Sequence, residues 1–154
     1  MVSGLPDFYS GVDVKLQELS QLIVRPKYGG GLSTTSVITV AANTDTILAT
    51  IAGKGMVYGG VVLFDYTSEQ KNSIPVMAVD GEKLGAIKYE TLNKYGIRQG
   101  QQYPVTLTIY DNVNFVYGVA FSYGVTFETE LSVSFIELHG GTPTVYCDII
   151  YALI

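Results

Sequence analysis

VNFVYGVAFSYGVTFETELSVSF, residues 113–135, decides the fold: every odd position from Val113 to Phe135 is apolar or aromatic except Thr129, while the even positions are mostly Asn, Gly, Ala, Ser and Glu. A period of two is the β-strand repeat, in which alternate side chains face opposite sides of a sheet. One face then belongs to a core and the other is partly wet. A strand this long would be unusual, so Gly124 is expected to mark a bend between two strands, 114–122 and 126–136.

The same pattern extends outward in both directions. Further strands are predicted at 35–42, 46–52, 56–65, 74–80, 103–110 and 143–153, which makes eight. Their separators carry turn chemistry: Asn43-Thr44-Asp45, Gly53-Lys54-Gly55, Asp80-Gly81, Asp111-Asn112 and Gly140-Gly141 tolerate positive φ or bond their own backbone. Residues 85–95, GAIKYETLNKY, are predicted as a short helix with Gly96 at its C-terminal cap. Eight antiparallel strands with one longer connection predict an all-β, two-sheet jelly-roll sandwich. An immunoglobulin-type sandwich is the alternative, and an up-and-down barrel fits less well because the 85–102 connection exceeds what a hairpin needs.

The N-terminal part reads differently. Val12, Leu16, Leu19, Leu22 and Ile23 in VDVKLQELSQLI fall at helical spacing, although Val12, Val14 and Leu16 also suit a short extended arm. Either form ends at Arg25-Pro26, and residues 27–36, KYGGGLSTTS, read as a flexible connector. The expected division is an arm with its connector over 1–33 and a sandwich domain over 34–154.

Composition narrows the function. The chain has 154 residues, 47 % hydrophobic and 15 % charged, with a net charge of −5. A usual charged share is about 25 %, so a charge-poor, Tyr-rich surface is expected to be covered by neighbouring molecules, most economically by copies of the same chain. The nine Lys and Arg are scattered and end at Arg98. No direct nucleic-acid binding is expected from such a distribution. Residues 1–11 lack the basic start and apolar stretch of a secretory leader, and no apolar run reaches the length of a membrane span. Synthesis in the cytoplasm is therefore expected.

Chemistry is sparse. With one histidine, His139, and one cysteine, Cys147, no catalytic, cofactor-binding or metal site of familiar type is expected. The chain is read as a non-enzyme. His139 reads as a turn residue and Cys147 as a buried small hydrophobe. Glu128 and Glu130 are expected about 7 Å apart on one solvated strand face. A glycosidase pair would be the sharper reading of these two acids, but the chain has no tryptophan platform for a sugar. Asp80-Gly81-Glu82 reads as a tight turn and not as half a calcium loop. Gly53-Lys54-Gly55 and Gly29-Gly30-Gly31 lack the spacing and the following helix of phosphate and dinucleotide loops.

Two stretches carry a resemblance. DTILATIAGKGMVYGG, residues 45–60, followed by IPVMAVDGEKL, residues 74–84, resembles a pattern in structural proteins of tailed phages and other viruses. The resemblance implies a single jelly-roll virion component: a capsid subunit, a vertex or turret protein, or a tail module. It also implies residence in the virion, a trimeric or pentameric homo-oligomer, contacts with other virion proteins, and an N-terminal arm that ties subunits together. A receptor- or carbohydrate-binding sandwich module is the alternative, with Tyr58, Tyr66, Tyr89, Tyr95 and Tyr123 as candidate contact residues.

Overall fold

The computed structural model describes residues 31–98 and 103–154. Ten strands and one helix follow in chain order: β1 (Leu32–Thr39), β2 (Asp45–Ala52), β3 (Gly55–Asp65), β4 (Ile74–Val79), β5 (Glu82–Ala86), α1 (Tyr89–Lys94), β6 (Val105–Asp111), β7 (Val116–Phe121), β8 (Thr126–Phe127), β9 (Glu130–Ile136) and β10 (Thr144–Leu153). All pairings are antiparallel. One sheet has the order β1-β10-β3-β7-β6, with β8 also paired to β3, and the other has the order β2-β9-β4-β5. The all-β, two-sheet sandwich is thus as expected. The Val12–Ile23 arm and the three-glycine run up to Gly30 lie outside the described residues.

Several boundaries differ from the expectation. The strand expected over 126–136 is two: β8 pairs with β3 in the six-stranded sheet, and β9 pairs with β2 and β4 in the other. Residues 128–129 therefore cross between the sheets. Val113 and Phe115 are not strand residues. Val113 is 84 % exposed and Phe115 has φ 57°, because the Asp111 carboxylate accepts the N–H groups of Val113 and Asn114 and closes a turn there. EKLGA, residues 82–86, forms β5 despite two charges and a glycine, because it pairs with β4 at the sheet's edge, where charge is tolerated. The helix is shorter than expected, starting at Tyr89. It ends as predicted at Gly96 (φ 64°), whose N–H bonds the Asn93 carbonyl while Ile97 N–H bonds that of Leu92. At the other end of the chain, β1 opens at Leu32, inside the stretch expected to be connector.

Alternation explains the core. Tyr117, Val119 and Phe121 of β7 and Leu131, Val133 and Phe135 of β9 point inward and are buried. Phe64 sits between the layers, its ring centroid 5.0 Å from Phe135 and 5.4 Å from Tyr117, while Tyr89 of α1 lies 5.5 Å from Tyr117. Each such ring removes about 150–250 Å² from water, so the four together are a large share of the driving force.

Candidate functional site

The loops at one end of the sandwich meet at Glu137, which has no solvent exposure. Its carboxylate accepts N–H bonds from Asn43 (2.7 Å), His139 (2.7 Å), Gly140 (3.0 Å) and Gly141 (3.0 Å). Burial on its own would raise its pKa, but these N–H groups, with help from the Gln70 side chain, hold it below the usual carboxylate range. Around it, Asn72 N–H donates to His139 Nε2 at 2.9 Å, and Thr142 N–H donates to the Tyr66 hydroxyl at 3.0 Å. His139 is therefore a hydrogen-bond acceptor within a loop cluster, in keeping with its reading as a turn residue. A Cβ at Gly141 would lie 2.6 Å from Gln70 Nε2 and 2.7 Å from Tyr66, so glycine is what lets the loop close. This cluster fastens the β1–β2, β3–β4 and β9–β10 connections.

Asp80 performs the matching task at the other end. With φ 51° at Asp80 and 85° at Gly81, the pair forms the tight turn expected between β4 and β5. The Asp80 carboxylate accepts the N–H groups of Glu128, Thr129 and Glu130 and the Thr129 hydroxyl. Those bonds hold its pKa far below the usual range. Glu128 instead pairs with Lys54 at 2.7 Å. The two glutamates therefore do not share a strand face as expected: Glu128 lies on the sheet crossover and Glu130 opens β9. The physical reason is that three successive N–H groups aimed at one carboxylate bend the chain out of the extended form.

The remaining candidates separate. Cys147 is buried, and burial together with the neighbouring Asp148 charge pushes its thiol up to about 12. Tyr89 lies in the core and Tyr66 in the Glu137 cluster, so the five tyrosines named as contact residues do not form one surface. Tyr58, at a bulge of β3 opposite Ile150 and Tyr151, stacks on the exposed Tyr123 at 5.9 Å. Among the described residues, no three His, Cys, Asp or Glu side chains converge as metal ligands would. No helix among them is long and apolar enough to cross a membrane.

The six-stranded sheet offers a more continuous feature on its outer face. Its register aligns Val37, Tyr146, Leu63, Gly118 and Ile109 in one row across β1, β10, β3, β7 and β6. Val37 is 64 % exposed, Ile109 40 % and Tyr146 37 %. A Cβ at Gly118 would lie 2.5 Å from Leu63 Cδ2, so the Leu63 side chain packs over the glycine, and an open groove of about 390 Å³ lies beside it between Leu63, Ile109, Val116 and Tyr146. β10 lies between β1 and β3, so its apolar character is chiefly that of a central strand. It reaches the surface through Tyr146 and Ile150. The row was missed in sequence because its members come from five strands, and only their register makes them neighbours.

No protein-family model matches the chain. No curated protein matches it either.

Proposed function

We propose that this chain is a virion structural subunit, a jelly-roll building block that self-assembles through apolar sheet surfaces and its N-terminal arm. The observation that carries the reading is the apolar row Val37–Tyr146–Leu63–Gly118–Ile109 on the outer sheet face. An outer sheet face on a free monomer would be expected to carry charge, and neighbouring subunits are the economical cover for such a stripe.

Strand order supports the jelly-roll part. With β6 and β8 set aside as additions, the remaining eight strands, numbered afresh, run 1-8-3-6 in one sheet and 2-7-4-5 in the other. That interleaving is what two nested Greek keys produce, and the architecture recurs in viral capsid domains. Fold alone does not assign function, so the low charge and the resemblance of residues 45–60 and 74–84 to virion proteins carry the remainder.

The test is light scattering coupled to size-exclusion chromatography of the full chain, followed by negative-stain microscopy. Closed rings, shells or discrete oligomers are expected. A strictly monomeric species at every concentration overturns the reading.

The Tyr58–Tyr123 stack favours a second reading, a receptor- or glycan-binding module of a spike or tail. Tyr123 is 72 % exposed, and one face of a ring held in this way suits a sugar. Retention on a glycan array that is lost in Tyr123→Ala would support it.

A further inference from the structure

The two sheets have four edges, and three of them are blunted. The β6 edge is interrupted by a register shift between Leu107 and Ile109, and Leu107 N–H is taken by the Ile97 carbonyl at 2.9 Å. The β5 edge is five residues long and opens with Glu82 and Lys83. The β2 edge starts at Asp45, which faces Lys83 at 4.0 Å, and shifts register between Ile47 and Ala49. Short length, charge and bulges are the usual means of keeping an edge from pairing with another strand.

β1 has none of these. LSTTSVIT contains no charge and no proline, five of its eight residues are β-branched, and its pairing with β10 runs from Leu32↔Tyr151 to Thr39↔Thr144 without a register shift. Among the described residues it pairs on one side alone. About half of its backbone N–H and C=O groups therefore point outward from the sheet in a straight, regular array.

We infer that β1 pairs antiparallel with β1 of a second copy across a two-fold axis, joining the two six-stranded sheets edge to edge. The inference rests on the self-assembly reading and adds to it the surface, the partner and the symmetry.

Three observations favour a second copy over another strand. A two-fold pairing sets the strand against itself, and like charges directly opposite one another would repel. β1 has no charge, so it is compatible with itself. The carboxylate that β10 sets opposite β1, Asp148, already accepts the Thr35 hydroxyl at 2.8 Å. Finally, the apolar row ends at Val37 on this edge, where it is most exposed. With the axis perpendicular to the sheet, both outer faces lie on the same side. Val37 then comes beside Val37 or Thr35 of the other copy, and two rows become one stripe.

The test measures backbone amide exchange and sedimentation of the full chain over a wide concentration range, beside Val37→Lys and Ile109→Lys. Both substitutions alter exposed side chains, so an unchanged thermal midpoint confirms that each variant folds. Edge pairing predicts a dimer in which the outward-pointing amides within Ser33–Thr39, those not bonded to β10, exchange at least about tenfold more slowly at high concentration. Val37→Lys weakens that dimer by about tenfold or more and Ile109→Lys by less than about threefold. Protection of β1 that is independent of concentration and survives Val37→Lys means that residues 1–30 of the same chain cover the edge, which overturns the inference. Oligomers that leave β1 exchange unchanged, or that Ile109→Lys dissolves as readily as Val37→Lys, overturn edge pairing and leave self-assembly standing. A monomer at all concentrations overturns both.

Discussion

The Glu137 carboxylate lies wholly out of solvent, yet it is held ionised by N–H groups from the β1–β2 and β9–β10 loops. Hydrogen bonds to a charged acceptor are each worth about 1.5–3 kcal/mol, and removing the charge weakens all four at once. Glu137→Gln is therefore expected to lower unfolding free energy by about 3 kcal/mol at neutral pH, measured by urea denaturation. The pH dependence has a definite sign. A carboxylate whose native pKa lies below its ordinary 4.5 contributes stability fully above that value and loses it as pH falls through the native pKa. The wild-type protein should lose stability below about pH 4.5, and Glu137→Gln should flatten that acid limb. Sequence reading attended to His139 in this loop and passed over Glu137, two residues earlier. The missed signal was an acid just before Gly140-Gly141, where a turn presents several N–H groups to one acceptor.

At the scale of elements, most strands were legible and the sheet assignment of one was not. Alternation located β7 and β9, and turn residues located Asp80-Gly81 and Asp111-Asn112, because both signals act over a few residues. The switch of sheets at residues 128–129 depends on Asp80, which lies 48 residues away from Glu128. Close approach between strands was equally hidden. Gly60 of β3 lies beside β10, and a Cβ there would sit 2.5 Å from the Asp148 carbonyl oxygen and 3.1 Å from Ile149 Cα. Backbone cannot give way as a flexible side chain can. Gly60→Ala should therefore destabilise by about 1–3 kcal/mol, read as a lower urea midpoint with an unchanged slope.

Across the whole molecule, the two sheets share one aromatic core, with Phe64 from the six-stranded sheet against Phe135 from the other and Tyr89 of α1 closing one side. A shared core couples the layers. Phe135→Ala should cost about 3–5 kcal/mol, and heat unfolding followed by circular dichroism and by tyrosine fluorescence should still give one coincident transition. Separate transitions for the two probes would show that the sheets unfold independently. Among the described residues, the same organisation leaves the apolar row on the outer face of the six-stranded sheet and the β1 edge without a covering element, which is where assembly is proposed to act.

By itself, the sequence determined the all-β class, the positions of most turns and the inward register of Tyr117, Val119 and Phe121 and of Leu131, Val133 and Phe135. These follow from hydrophobic periodicity and from the φ preferences of Gly, Asn and Asp, which are local properties of the chain. Only the tertiary structure decided which sheet each strand joins, how Glu137 and Asp80 fasten the two ends, and that Val37, Tyr146, Leu63, Gly118 and Ile109 share a row. Those outcomes depend on pairing between residues far apart in the chain, as with Leu32 and Tyr151 or Thr35 and Asp148, and no local pattern encodes such a partner.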